Sequence, residues 1–401
     1  MTKLEQQINK LCTNGVEYKT LGELCQIVRG ASPRPIKSFI TSRENGVPWI
    51  KIGDVSTGAK YVTSTEEYIT EEGAQKSRKV HKGDFILSNS MSFGRPYILQ
   101  IDGCIHDGWL SISGFQEHLM SDFLYYILSS SLIQREMAKK ASFGGAVQNL
   151  NADIVRGISI PVPPLPVQEE IVRILDELTE KTEQLISELN AELDKRKKQY
   201  EHYKNKLMSV ESANIFKLGD IAFICDGTHQ TPHYTDSGVK FISVENINDI
   251  LNTTKYISEV DYNKYKVKPQ MGDVFMTRIG SIGKCAVLDM QEDLAYYVTL
   301  ALIRPNQNIV TSKYLKYLIE SMVGAKELRK RTLLNAVPIK INKDDIGKIE
   351  LPIPSISLQE KIVAQIEKYD IEFDLLIQSI SKEIDNRKKQ YEYYRDKLLT
   401  F

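Results

Sequence analysis

Midway along this 401-residue chain stands RKKQYEHYKNKLMS, Arg196 to Ser209, and at its end stands RKKQYEYYRDKLLT, Arg387 to Thr400. Nine of these fourteen paired positions are identical, at a constant offset of 191 residues. An internal repeat constrains the fold before any local pattern does, and this one runs through the whole chain. Leu21-Gly22-Glu23 matches Leu218-Gly219-Asp220, and Gly30 matches Gly227, both at an offset of 197. Trp49 to Val55 then pairs with Phe241 to Ile247 at an offset of 192, so the loop between these blocks is about five residues longer in the first copy. Lys82-Gly83-Asp84-Phe85 answers Met271-Gly272-Asp273-Val274, and Gly94-Arg95 answers Gly283-Lys284. Last, Pro161-Val162-Pro163-Pro164 with Gln168-Glu169 matches Pro352-Ile353-Pro354-Ser355 with Gln359-Glu360. A period of about 190 residues is too long for a solenoid unit. Each copy is a whole domain followed by a long helix, one scaffold presenting two different surfaces.

The helix follows a Pro-rich stop in each copy, since proline is tolerated in the first turn of a helix and not inside it. Large or apolar residues recur at three- and four-residue spacing. In the first copy they are Ile171, Leu175, Leu178, Leu185, Leu189, Leu193, Tyr200, Tyr203 and Leu207. In the second they are Ile362, Ile366, Tyr369, Leu376, Ile380, Ile384, Tyr391, Tyr394 and Leu398. Such stripes, on helices of roughly 40 residues or about 60 Å, are seams for another helix, and the domain between them lets the chain return and lay the two antiparallel. The globular parts read as short strands bounded by turn residues: WIKIGDV, GDFILSNS, KFISVENI, GDVFMTRI and YVTLALIRP. One helix is expected over Met120–Ser142 and its counterpart over Thr311–Thr332. The expected fold is α+β: two pseudo-repeated, mixed, strand-rich domains over 1–165 and 211–355, joined by two long antiparallel helices, 166–210 and 356–401, that form a coiled coil.

Composition narrows the setting. With 42% hydrophobic and 26% charged residues the chain is ordinary for a globular protein, and no apolar run approaches the roughly 18 residues of a membrane span. The start, MTKLEQQINKLC, lacks the apolar stretch of a secretory signal. Cys12, Cys25, Cys104, Cys225 and Cys285 form no CxxC pair. They are expected as reduced, mostly buried thiols in a cytoplasmic protein. The 52 basic residues balance 52 acidic ones. A protein held to nucleic acid by one large basic face would carry an excess, so neutrality suits a subunit whose partners supply some of the phosphate contacts.

No catalytic constellation is visible. RIGSIGKC, Arg278 to Cys285, lacks the spacing of a phosphate loop, and there is no GxSxG or HExxH. His229 and His233 are separated by Pro232, against a helical metal pair. No glycine-rich cofactor turn or target-base motif of a methyltransferase is present. What remains are groups suited to phosphates and base edges. In the first copy these are Arg29, Arg34 and Lys37 around the Gly30 loop, then Arg78, Lys79, Lys82 and Arg95, with Gln148 and Asn149 in FGGAVQNLN. In the second they are Thr228, His229, Gln230 and His233 in the matching loop, then Lys264, Lys266, Lys268, Arg278 and Lys284, and the run Arg329-Lys330-Arg331. Basic groups recur in equivalent loops of both copies.

The block order, with PVPPLPVQEEIV and PIPSISLQEKIV leading into helices that end RKKQY, resembles the specificity subunit of type I restriction-modification enzymes over nearly the whole chain. The resemblance implies two target recognition domains, each reading one part of a bipartite double-stranded DNA site, and helices that act as a ruler between them. It implies no catalysis and no cofactor in this chain. Two modification subunits would dock on it and methylate adenine N6 from S-adenosylmethionine, and ATP- and Mg-dependent restriction subunits can join. Target adenines would be flipped into the partner's pocket. No membrane is involved. The repeated helix ends would then be alike because two identical partners need two similar docking surfaces. One departure stands out: LLNAVPIKIN in the second copy has Pro338 where Gln148 stands in the first, and no glycine beside it. The rival readings are an adenine methyltransferase carrying its own recognition domains, against which its missing motifs count, and a tethering scaffold with no DNA role.

Overall fold

The computed structural model describes residues 2–56, 58–89, 94–141, 150–210 and 213–401. It divides into two compact units, Met1–Leu189 with Lys382–Phe401, and Asn190–Ser381. Two helices contribute to both units: the first long helix, Leu165–Met208, and the second, Ile356–Leu398.

In the first unit, Tyr18–Thr20 pairs antiparallel with Ser159–Pro161, so the beginning of the globular half lies beside its end. Between them lie two five-stranded sheets. One runs in the order Gln26–Arg29, Trp109–Ser113, Phe85–Ser88, Pro96–Leu99, Tyr61–Val62. The other runs Ile40–Thr41, Glu67–Ile69, Val47–Ile50, Gly103–Ile105, Arg78–Val80, with the third and fourth strands parallel. The apolar run Phe85-Ile86-Leu87 is explained by burial on both faces. Successive strand residues point to opposite sides, so Phe85 and Leu87 join one core and Ile86 joins another with Tyr97, Leu99 and Trp109.

The second unit repeats this plan. Asn214–Lys217 pairs with Glu350–Ile353. One four-stranded sheet runs Ala222–Asp226, Leu300–Pro305, Val274–Thr277, Cys285–Val287, and the other Tyr234–Thr235, Tyr256–Ile257, Val239–Ile242, Leu294–Tyr296. Val274 and Met276 again face one core and Phe275 another. Counterparts of Tyr61–Val62 and Arg78–Val80 are missing among its described residues. Each expected strand run contains a strand. All five cysteines are free, with Cys104 and Cys285 buried and the other three half-buried rather than enclosed. Among the described residues, no helix is long and apolar enough to cross a membrane.

Where the sequence pattern suggests one helix in each half, there are two. Ser121–Ser129 is followed by Ser131–Ala141, and Ser312–Glu320 by Met322–Arg331. Ser130 and Ser321 are extended at the breaks. Their hydroxyls donate to the carbonyls of Ile127 and Leu318, both at 2.7 Å, and accept the N–H of Ile133 and Gly324, both at 3.4 Å. One serine thus ends a helix and caps the next.

The Pro-rich motif has a structural purpose in both units. Gln168 is fully buried. Its Oε1 accepts the Met120 N–H at 2.9 Å, and its Nε2 donates to the carbonyls of His118 and Pro163, both at 2.8 Å. Gln359, equally buried, accepts from Thr311 N–H at 2.9 Å and donates to the carbonyls of Ile309 and Pro354, both at 2.8 Å. Each glutamine ties the first turn of a long helix to the start of the helix pair.

The repeated RKKQY ends dock in equivalent ways. In the second unit the Tyr200 hydroxyl donates to the Asp370 carboxylate, to which Tyr317 also donates at 3.1 Å. Tyr200 stacks on Phe373 with centroids 4.3 Å apart, and Tyr203 stacks on Tyr369 at 6.3 Å, so the two helix stretches run antiparallel. In the first unit Thr179 donates to the Tyr391 hydroxyl at 3.0 Å, and Tyr126 donates to Asp176 at 2.6 Å. Asn205 Oδ1 accepts the Met322 N–H at 2.7 Å, and Asp396 Oδ1 accepts that of Ser131 at 3.2 Å. The motif therefore supplies an acceptor for the first N–H of the second helix of each pair, beside the serine cap and from a different part of the chain. Asn205→Ala should cost about 1 kcal/mol, the usual net value of such a hydrogen bond, seen as a lower midpoint in urea unfolding.

Most of the expected seam is covered. Ile171, Leu175, Ile362, Ile366 and Ile380 are buried, and Leu178, Leu185, Leu189, Leu193, Tyr200, Leu207, Leu376, Ile384, Tyr391 and Leu398 are half-buried. Tyr203, Tyr369 and Tyr394 stay exposed. An amphipathic tyrosine can cover the seam with its ring and keep its hydroxyl in water.

Glu170, buried in the first unit, meets Arg173 at 2.8 Å and Lys3 at 2.6 Å. Arg173 and then Lys3 hold its carboxyl near pKa 2, below the usual 4.5. A depressed carboxyl stabilises the fold fully above its unfolded pKa, and the contribution is lost as pH falls through the folded value. Glu170→Gln should therefore flatten the acid side of the stability curve between about pH 4.5 and 2, by about 1–2 kcal/mol after discounting the exposed cations. Unfolding midpoints of the variant and parent across that range check this.

Candidate nucleic-acid interface

The paired glycines Gly30 and Gly227 set the geometry of the two candidate loops. A Cβ on Gly30 would lie 2.0 Å from the His106 carbonyl oxygen, and one on Gly227 would lie 2.5 Å from the carbonyl oxygens of Tyr296 and Tyr297. Only a residue without a side chain lets the loop backbone press this closely on the neighbouring segment. The Gly30 N–H donates to Trp109 at 2.8 Å, and the Thr228 N–H to Tyr296 at 3.1 Å. In both units the loop after the first sheet strand is thus fastened at its root and leaves its tip in solvent.

In the first unit this fastening gathers three arginines around Asp107. Arg29 Nε donates to the Asp107 carbonyl at 3.1 Å, and the Arg34 guanidinium stands 3.8 Å from the Asp107 carboxylate. Arg78 Nε donates to the Arg29 carbonyl at 3.4 Å. The Ser32 hydroxyl donates to Asp107 Oδ1 at 2.7 Å and, with the nearby cations, keeps that carboxyl below the usual range. Asn89, buried, donates to the Asp107 carbonyl at 2.8 Å and supports the same turn. Arg29, Arg34, Lys37 and Arg78 are all exposed. Lys79 pairs with Glu71 at 3.0 Å, while Lys82 and Arg95 are exposed elsewhere on the unit. Gln148 and Asn149 lie outside the described residues.

In the second unit one cleft of about 520 Å³ collects Thr228, His229, Gln230 and His233 from the loop, and Lys264 and Lys266 from a distant stretch of sequence. Tyr265, Tyr296 and Asp261 also line it. Lys264 pairs with Asp261 at 2.6 Å. Lys268 donates to Asn263 Oδ1 at 2.7 Å with its ammonium 4.3 Å from the Tyr262 ring, so it braces this stretch. The cleft offers amide, imidazole and hydroxyl groups with flanking ammonium groups, a mixture able to meet base edges and phosphates together. Among the described residues, no group of three or more His, Cys, Asp and Glu could hold a metal ion.

Arg278 does not stand in solvent beside these groups. It is buried, ion-paired with Asp226 at the root of the loop, and its Nε donates to the Ile341 carbonyl at 3.1 Å. It occupies the place that Asn89 has in the first unit, each supporting its loop from below. Lys284 and Arg329 line a separate cleft of about 840 Å³. Lys330 and Arg331 both pair with Glu327, which also accepts the Glu350 N–H at 3.3 Å, so they fix the helix to the domain-closing strand. Neither the Asp226–Arg278 pair nor the place of Tyr265 and Tyr296 in the cleft is visible in the residue pattern. The one available cue was the acidic residue directly before Gly227.

Known proteins share the sequence family and the fold of this chain. The family model described as type I restriction modification DNA specificity domain matches residues 13–195 and again 211–386. A putative type I restriction enzyme specificity subunit of Haemophilus influenzae is 27% identical over 406 residues, covering 96% of each chain. The EcoR124I/EcoR124II specificity subunit of Escherichia coli is 30% identical over 262 residues, 61% of this chain and 63% of that one. Among solved structures, the HsdS subunit from Thermoanaerobacter tengcongensis has the same fold, with a TM-score of 0.60 at 18% identity over 96% of both chains. A chain from a study of complex assembly and conformational transition in the type I R-M system reaches 0.75, also at 18% identity, over 96% of this chain and 97% of that one.

Proposed function

Because the chain belongs to the type I restriction-modification DNA specificity family, its task is sequence recognition rather than catalysis, and we propose that each globular half reads one part of a bipartite duplex target. The recognition domains in this reading are 1–165 and 211–355, and the helices over 166–210 and 356–401 separate them and dock two modification subunits. Those partners would bind S-adenosylmethionine and methylate adenine, and ATP-dependent restriction subunits would join the same complex. This chain would hold no cofactor of its own and would work in the cytoplasm, where the DNA is.

The observation that carries the reading is the second-unit cleft, where the Gly227 approach brings the six loop residues from Thr228 to His233 together with Lys264 and Lys266. Its counterpart is the exposed Arg29, Arg34 and Arg78 group around Asp107. Gln230 and His229 are the base-reading groups of the second half, and Arg34 the leading one of the first. Together the two second-half side chains supply about one good bidentate base contact, worth about 1–3 kcal/mol of discrimination. The variant His229→Ala/Gln230→Ala should thus lose about 10- to 100-fold in discrimination at one part of the target, and Arg34→Ala should act on the other part. Competition binding of the partner-loaded complex, with duplexes altered in one part at a time, reads this out. Equal loss over both parts, or none, would count against these assignments.

A further inference from the structure

A hairpin in the second unit presents an apolar tip that its own core does not use. Leu333 pairs with Lys340 across its base, the Leu333 N–H donating to the Lys340 carbonyl at 2.8 Å. The Gly280 N–H donates to the Ile339 carbonyl at 2.8 Å, and the Ile341 N–H to that of Arg278 at 3.0 Å. The base is therefore held on three sides. Between these bonds, Leu333 is 42% exposed, Leu334 56%, Val337 100% and Ile339 41%. Four large apolar side chains in water on one short, anchored hairpin mark a contact surface rather than a packing accident.

Charge says what the contact is. From Leu328 to Lys343 the sequence reads LRKRTLLNAVPIKINK, and of its five cations Lys330 and Arg331 pair with Glu327 and Lys343 with Asp344, which leaves Arg329 and Lys340 to flank the tip. Lys284 and Arg329 share the adjoining cleft with Leu334 and Ile339, and with the carboxylates of Glu201 and Glu320. An apolar tip flanked by Arg329, Lys340 and Lys284 fits a polyanion with apolar interior surfaces, which is a nucleic-acid duplex opened at one base step. The hairpin also adjoins the proposed reading loop through a single residue: Arg278 holds Ile341 on one side and Asp226 on the other.

We propose that the hairpin 332–341 is a wedge that inserts the side chains of Leu334 and Val337 at a base step of the bound duplex, unstacking it beside the second recognition part. The proposal rests on the reading of the chain as a DNA-recognition subunit. The wedge acts on duplex conformation, and the cleft on base identity. The basic residues Arg329, Lys284 and Lys340 meet the phosphates on either side of the opened step.

The test uses the full chain with its modification subunits on duplexes carrying its own target, with 2-aminopurine placed at successive steps in and beside the second part. The parent complex should raise fluorescence several-fold at one step, marking unstacking. Leu334→Ser/Val337→Ser alters only exposed side chains and should abolish that rise and weaken duplex binding about 10-fold, with partner loading unchanged. Retention of the rise and of affinity within twofold would overturn the wedge, as would loss of partner loading with DNA affinity intact, which would make the hairpin a protein-docking element. A parent complex with no preference for the target would overturn the recognition reading itself, an outcome distinct from the other two.

Discussion

Replacing either buried glutamine by leucine, Gln359→Leu or Gln168→Leu, should lower stability by about 3–5 kcal/mol. Each side chain satisfies one backbone N–H and two carbonyls at 2.8–2.9 Å in a fully buried place. A typical buried group left without its partner costs about 1–3 kcal/mol, and leucine of similar size fills the space while satisfying none of the three. Two such variants in pseudo-equivalent places provide an internal control. Urea unfolding of the full chain should show a similar loss for each, and a loss below 1 kcal/mol for either would mean that water replaces the side chain.

Arg278→Met should cost roughly 2–4 kcal/mol, because it leaves the Asp226 carboxylate beside a buried apolar group with no cation and takes the donor from the Ile341 carbonyl. Loss of the ion pair also frees the root of the loop from Gly227 to His233, so discrimination at the second recognition part should fall while the first part is read as before. The double variant Arg278→Met/Asp226→Leu should regain a good part of the stability, since no charge is then buried alone. A double variant as unstable as the sum of its singles would show that the ion pair is not the cause.

Much of this was legible in advance, for identifiable reasons. The repeat blocks predict two equivalent domains because every block falls on an element that the fold needs twice: the strand runs around Phe85 and Phe275, the glycines at the loop roots, the glutamines at the long-helix starts. The helix breaks at Ser130 and Ser321 escape a pattern reading because apolar spacing continues across them. Arg278 reads as a basic loop residue because the acid that draws it inward lies far upstream in sequence. The cleft of the second unit brings Gln230 beside Lys266, 36 positions later in the chain, which spacing cannot reveal. LLNAVPIKIN reads as the counterpart of the FGGAVQNLN loop, and its apolar residues do not announce that backbone bonds hold them out in solvent.

Sequence recognition by this chain is tested most directly by single-molecule sequencing of host DNA for N6-methyladenine, with the gene intact and with it deleted. A two-part, gapped motif should be methylated in the parent and unmethylated after deletion, and its two parts should respond separately to Arg34→Ala and to His229→Ala/Gln230→Ala. A methylome in which every gapped motif persists unchanged after deletion would contradict the assignment.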